Sequence, residues 1–302
     1  MAGIREIKQR ISSINDTRHI TKAMKLISTS KLKKARKQLD DVLPFFKKTR
    51  VAIVDILSDN KDHDSRYIMK KGKKYDKRSG YLIISGDKGL AGGYNINLFK
   101  LTEKHIKDNP KKEDPILFIA GRTGREYFTS KGYEVYDDFK YPVQDPDIFR
   151  SREMSDVLTE QYDLGAFDEL YIVYTDLVTS LLMQPKIVKF LPIDVEKIEE
   201  RLNEESEETH VSQTGFVSMI YEPSVDEVFR VLVAKYMKGI VYGAMVESFT
   251  SELNARMMAM ESATNNADDM IGELTLKYNT ARQAAITQEL TEIVSGATVL
   301  YD

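Results

Sequence analysis

A chain of 302 residues with a formal charge of −3 is long enough to bury one large core or two modest ones. It has no cysteine, which excludes a disulfide scaffold, a thiolate zinc site and a cysteine nucleophile; His19, His63, His105 and His210 stand too far apart to make a metal-helix spacing. Residues 1–50 hold fourteen Lys/Arg against four Asp/Glu, so this arm carries +10 and the remainder −13, a split that points to an anionic partner for the arm.

Ile4, Ile7, Ile11 and Ile14 open the chain at steps of three and four. Ile20, Met24 and Ile27 continue a helical face, as do Leu32, Ala35, Leu39, Val42 and Phe46. The pattern predicts one very long helix over residues 1–57, bent or locally broken at Pro44, because Ile53 and Leu57 still fit it. Met1-Ala2-Gly3-Ile4-Arg5 runs straight into this charged helix with no apolar signal core, so a bacterial cytoplasmic protein is expected, reaching a membrane only through partners.

Residues 58–79 turn to Asp, Asn, Lys, Gly and Ser and read as a surface linker. Residues 80–222 then read as an α/β domain. Tyr81–Ser85 and Ile116–Ala120 are buried strands, and Ile96–Ile106 and the stretch after Gly121-Arg122-Thr123-Gly124, to about Ser130, are helices. Tyr133–Tyr136 is a third strand and Ile148–Tyr162 a third helix; this alternation implies a Rossmann-like, three-layer domain with a mostly parallel sheet. Glu169–Tyr174 and Met183–Phe190 form a hairpin. Glu196–Glu208 is an acidic insert with no assigned role, and Gly215–Tyr221 is a last strand.

Residues 223–302 follow Pro223 as a second very long helix, since no further proline occurs. Its span from Ser224 to Leu300 is roughly 115 Å at about 1.5 Å per residue, too long to bury in one globule. Ala267, Ile271, Leu274, Tyr278, Ala281 and Ala285 alternate steps of four and three, the seam of a two-helix coiled coil. The stripe then slips by one residue and resumes as Ile286, Leu290, Ile293, Ala297 and Leu300, which marks a change of partner. Around Val228–Phe249 the helix carries Arg230, Lys235, Lys238 and Glu247, too many charges for a membrane span.

Chemistry has few candidates. Gly86, Gly89, Gly92 and Gly93 match neither a dinucleotide fingerprint nor a P-loop, and a tight strand-to-helix connection accounts for them. Ser85 is not in a nucleophile elbow, and no carboxylate pair stands in an apolar setting. Lys31, Lys33, Lys34, Arg36 and Lys37 suit phosphates, an acidic protein surface or plain solvation; residues 1–44 lack the aromatic platform of a single-strand binder. A coiled-coil nucleic-acid binder using the basic helix remains the alternative function.

Three motifs carry a family resemblance. Ile20-Thr21-Lys22-Ala23-Met24-Lys25-Leu26 with Ser30-Lys31-Leu32, then Gly89-Leu90-Ala91-Gly92-Gly93-Tyr94-Asn95, and finally Tyr278-Asn279 through Ala281-Arg282-Gln283-Ala284 to Ile286-Thr287-Gln288-Glu289-Leu290-Thr291-Glu292-Ile293-Val294-Ser295-Gly296-Ala297 resemble the gamma subunit of the rotary ATP synthase. The loop departs from the common family form in Lys88 and Gly86. The resemblance implies a non-catalytic central stalk, its terminal helices paired antiparallel inside a ring of alpha and beta subunits. It further implies an epsilon subunit and a membrane c-ring as partners, a peripheral position on the cytoplasmic membrane face, and neither cofactor nor metal. Carried over by motif, Lys22, Met24, Lys25, Lys31, Lys33, Arg256, Gln283, Thr287, Glu289 and Glu292 are implied contacts to the beta subunits. Ile286, Leu290, Ile293, Ala297 and Leu300 are the implied bearing tip.

Overall fold

The structure is a computed structural model that describes residues 2–59, 65–70, 72–179, 182–194, 196 and 222–301. Helix α1 spans Ala2–Asp59 and is followed by β1 (Ser79–Ile84), α2 (Tyr94–Asp108), β2 (Ile116–Ala120), α3 (Arg122–Ser130) and β3 (Glu134–Val135). Then come α4 (Ile148–Asp163), β4 (Glu169–Leu177), β5 (Met183–Leu191) and a 77-residue α5 (Val225–Tyr301). The acidic insert beyond Glu196 and the expected strand Gly215–Tyr221 lie outside the described residues.

The chain divides into two compact units, residues 31–255 and residues 1–30 with 256–302. In the first, the sheet order is β3-β2-β1-β4-β5, parallel throughout except for the antiparallel β4–β5 hairpin at one edge. Strand side chains alternate between faces. Tyr81, Ile83, Leu117, Ile119 and Val173 pack against Leu98 and Phe99 of α2 and Phe128 of α3. The opposite face, with Leu82, Ile84, Phe118, Ala120 and Ile172, is covered by α4 through Met154 and Leu158, by Ile53 and Ile56 of α1, and by α5. From α5 this core takes Phe229, Val233, Met237, Val241, Met245 and Phe249, mostly one helical turn apart. At about 1.5–3 kcal/mol for each large apolar side chain buried, this face is what holds the long helices to the sheet.

Helix α1 crosses Pro44 without a break; the ring is exposed, so the carbonyl of Asp40, which loses its N–H partner, is open to water. Residues 65–70, part of the expected linker, make defined contacts. Ile68 bridges Ile193, Met69 N–H donates to the Ile193 carbonyl at 2.9 Å, and Tyr67 stacks obliquely on Tyr162.

The other unit is an antiparallel two-helix coil. Its inward positions on α5 are Met260, Thr264, Ala267, Ile271, Leu274, Tyr278, Ala281 and Ala285, the alternation of four and three seen in the sequence. On α1 they are Ile4, Ile7, Ile11, Ile14, Arg18, Thr21, Lys25 and Ser28. Ile20 and Ile27, expected to extend the apolar face, are instead 60% and 58% exposed. The alternation from Ile14 runs on through polar residues, and period rather than apolarity decides which side chains face the partner helix.

Candidate functional site

Open α/β sheets bind ligands at the carboxyl ends of the strands, where the crossover direction reverses. Here that point lies between β1 and β4. The Gly86–Gly93 loop leaves β1 at this edge, and its Asp87 carboxylate is already engaged. Asp87 accepts through Oδ2 from the Val143 and Gln144 N–H groups at 2.8 and 3.0 Å, and through Oδ1 from Arg122 N–H at 3.2 Å. Gly124 N–H donates to Ser85 Oγ at 3.1 Å, and Thr123 donates to the Gly86 carbonyl by its N–H and its hydroxyl. The first-turn donors of α3, the helix that follows β2, are thus spent within the chain. Gly121, at φ +95°, lies so close to Ser85 that a Cβ there would overlap the Ser85 carbonyl oxygen.

Helix α5 closes the same edge. Ser248 Oγ donates to the Ile84 carbonyl of β1 at 2.9 Å, and Ser251 Oγ donates to the Thr175 carbonyl of β4 at 2.9 Å. Tyr94 OH lies 2.7 Å from Ser248 Oγ and 3.0 Å from the Ser248 carbonyl. Ser248, Ser251, Glu252 and Asn254 are all buried, and the Glu252 carboxyl sits against Gly86. None of these α5 residues is among the candidates that the sequence offers. Their signal was Ser248-Phe249-Thr250-Ser251-Glu252, a polar run inside the most apolar part of α5.

Two further groups are electrostatically distinctive. Burial, and then the nearby Asp176 carboxylate, push Glu247 up to about 7 against the pull of Lys186 and a hydrogen bond from Tyr174. Burial would also raise Glu169, but Lys111 and Lys189, both 2.6 Å from its oxygens, outweigh it and hold the carboxyl below its ordinary range.

The residues implied as partner contacts are divided between the two units. Lys31 and Lys33 belong to the α/β unit, and the others to the coil. Lys25 Nζ is 2.7 Å from Glu261 and Lys31 Nζ 3.1 Å from Asp145, so both spend charge inside the chain. Among the described residues Lys22 and Lys33 make no ion pair, and both are exposed; Met24 and Arg256 are half-buried. Gln283, Thr287, Glu289 and Glu292 are exposed along α5. Thr287 donates to the Gln283 carbonyl at 2.9 Å, and Gln288 Nε2 donates to Glu292 at 3.0 Å.

The coil has a definite register. Arg18 pairs with Asp268 at 3.1 Å, Thr21 with Thr264 at 2.8 Å, and Lys25 with Glu261. Continued toward residue 1, that register brings Ile14 level with Ile271, Ile7 level with Tyr278, and Ile4 level with Ala281. Beyond Ala285 the apolar side chains are uncovered: Ile286 is 48%, Leu290 58% and Ile293 67% exposed. The side chains of Ala297 and Leu300 lie outside the described residues, although the helix runs past them. Exposed apolar residues in a row on one helix mark a surface that a partner covers. No helix among the described residues is long and apolar enough to cross a membrane.

A family model described as ATP synthase matches residues 3–300. A protein of Ruminiclostridium cellulolyticum named ATP synthase gamma chain is 50% identical over 297 residues, covering 98% of each chain. Another, of Acetobacterium woodii, is named as the sodium ion specific ATP synthase gamma chain and is 39% identical over 303 residues, again covering 98% of each. Among solved structures, a chain of the Euglena gracilis mitochondrial ATP synthase (OSCP/F1/c-ring) superposes with a TM-score of 0.61, covering 99% of this chain and 95% of that one; at 16% identity it speaks for the fold.

Proposed function

Because this chain belongs to the ATP synthase gamma-chain family, we propose that it is the central rotor shaft of a rotary ATP synthase. It couples transmembrane proton flow to the conformational cycling of the catalytic beta subunits. The observation that carries the reading is the coil that outruns itself. Paired helices give stiffness along residues 1–30 and 256–285, and the single helix beyond presents Ile286, Leu290 and Ile293 uncovered. A shaft that turns against a collar needs its strong bonds within itself and a weakly bonding, apolar outer surface at the bearing. The packed seam, with Ala267, Ile271, Leu274 and Tyr278 on one helix and Ile4, Ile7, Ile11 and Ile14 on the other, supplies the first, and the tip supplies the second.

In this reading the helix from Ile286 to Leu300 turns in the apolar sleeve of the alpha–beta ring. Lys22 and Lys33, with Met24, Arg256, Gln283, Thr287, Glu289 and Glu292, face the beta subunits. Residues 1–57 and 223–302 are the shaft arms, 58–79 the connector, and 80–222 the α/β domain that meets the epsilon subunit and c-ring. The chain sits peripherally on the cytoplasmic face of the membrane and has no catalytic site of its own. The coupling ion is chosen in the membrane ring.

Purification of the native complex through a tag on this chain tests the reading. Recovery of alpha and beta subunits, with ATP hydrolysis in the complex and none in the isolated chain, is expected. Salt-sensitive recovery of nucleic acid through residues 1–50, with no such subunits, would favour a nucleic-acid binder instead.

A further inference from the structure

If the chain is a rotor, torque must pass between the sheet of the α/β unit and helix α5, which continues from that unit into the coil as one element. Two kinds of contact join them. The broad apolar face, with Phe229, Val233, Met237, Val241, Met245 and Phe249, resists separation. Apolar attraction is non-directional, however, and opposes sliding or turning of a helix only through the interlock of side chains. Hydrogen bonds are directional and weaken steeply when donor and acceptor swing out of line.

Directional bonds from α5 to the ends of the two central strands are made by Ser248 and Ser251. Ser248 Oγ gives its proton to the Ile84 carbonyl at 2.9 Å, which leaves Tyr94 of α2 as the donor toward Ser248. Ser251 Oγ gives its proton to the Thr175 carbonyl at 2.9 Å. Both serines are fully buried, so water cannot replace either bond if it breaks. They lie one turn apart and grip neighbouring parallel strands, β1 and β4, at two separate points. Two points fix a rotation where one would leave a pivot.

We propose that Ser248 and Ser251 are positioning residues for torque transfer: they pin the shaft helix to the carboxyl edge of the sheet, in the crevice that a nucleotide fold would leave for its ligand. The proposal rests on the rotor reading and deepens it. Tyr94 is the third member, tying α2 to the same turn of helix.

The test is single-molecule rotation of the assembled complex under increasing viscous load. The catalytic ring is fixed, and a bead is attached through Lys112→Cys, unique because the chain has no native cysteine. The variants are Ser248→Ala/Ser251→Ala, each single change, and Val241→Ala, which removes apolar contact on the same helix. Melting temperatures of the isolated chains are measured alongside. At low load every variant is expected to rotate like the wild type. At high load the double serine variant is expected to lose at least half its rotation per ATP hydrolysed, while Val241→Ala, at equal or greater loss of melting temperature, keeps the wild-type ratio. A wild-type ratio in the serine variant at every load, or an equal loss in Val241→Ala, overturns the proposal. Should the double variant not assemble, the single variants are read by the same criteria. A wild-type complex that hydrolyses ATP without turning the bead would refute the rotor reading itself, a separate outcome.

Discussion

The hydroxyls of Thr21 and Thr264 meet at 2.8 Å inside the coiled-coil seam, in a layer where a two-helix coil ordinarily packs aliphatic side chains. Each also reaches a carbonyl of its own helix, Thr21 that of Arg18 at 3.0 Å and Thr264 that of Met260 at 2.7 Å. One hydroxyl therefore spends its proton across the seam and the other on its own helix. Thr21→Val alone is expected to cost about 1 kcal/mol by removing the bond across the seam, and Thr264→Val a similar amount. The double change should cost clearly less than the sum. Urea unfolding of the four chains measures this, and strictly additive costs would contradict the shared bond.

The lysines of the basic arm are not equivalent. Lys25 and Lys31 are tied to Glu261 and Asp145, partly exposed pairs worth about 0–1 kcal/mol each. Lys22→Glu/Lys33→Glu should therefore leave the melting temperature of the isolated chain within a degree or two and lower coupled turnover of the complex. Lys25→Glu should instead show a small stability loss, recovered by Lys25→Glu/Glu261→Lys. Unchanged coupled turnover in the first variant would remove Lys22 and Lys33 from the partner contacts.

Leu290→Asn/Ile293→Asn changes two side chains that are more than half exposed in the isolated chain. Its stability should stay within about 0.5 kcal/mol of wild type, as for surface substitutions generally. In the complex the same change puts two amides into an apolar sleeve and should slow rotation or reduce assembly several-fold. Calorimetry of the chain and turnover of the complex separate the two effects; a large loss in the chain alone would mean that the tip is covered from within.

Glu247 gives a pH dependence with a definite sign. Its carboxyl titrates near 7 in the folded chain, above its ordinary 4.5, so the folded state holds a proton that the unfolded state has released. Whatever the neutral carboxyl contributes is fully present below about pH 4.5 and is lost as pH rises through 7. Glu247→Gln, neutral throughout, should be more stable than wild type at pH 8 by roughly 1–3 kcal/mol and indistinguishable from it near pH 4.5. Denaturation at the two pH values checks this; a gap of the same size at both would assign the effect to packing rather than to charge.

Much of this architecture was legible from period alone. The alternation from Ala267 to Ala285 is the seam, Ile116–Ala120 is a strand with those bounds, and the slip at Ile286 falls where covered side chains give way to exposed ones. The α1 side of the seam was not legible from apolarity: past Ile14 the inward positions are Arg18, Thr21, Lys25 and Ser28, and the partners of the first three are 236 to 250 residues away. The serine contacts to β1 and β4 were equally hidden. Ser248 and Ser251 look like helix-surface residues until the fold brings two strand ends, 164 and 76 residues earlier in the chain, to within hydrogen-bond reach. Local pattern carries the elements, and long-range pairing carries the site.

Rotation is the most direct test of the rotor assignment. With the alpha–beta ring held on a surface and a filament attached to the α/β unit of this chain, ATP should drive the filament in one direction in regular steps, at a rate that follows ATP concentration. A filament that stays still, or wanders in both directions while the same complexes hydrolyse ATP, would contradict it.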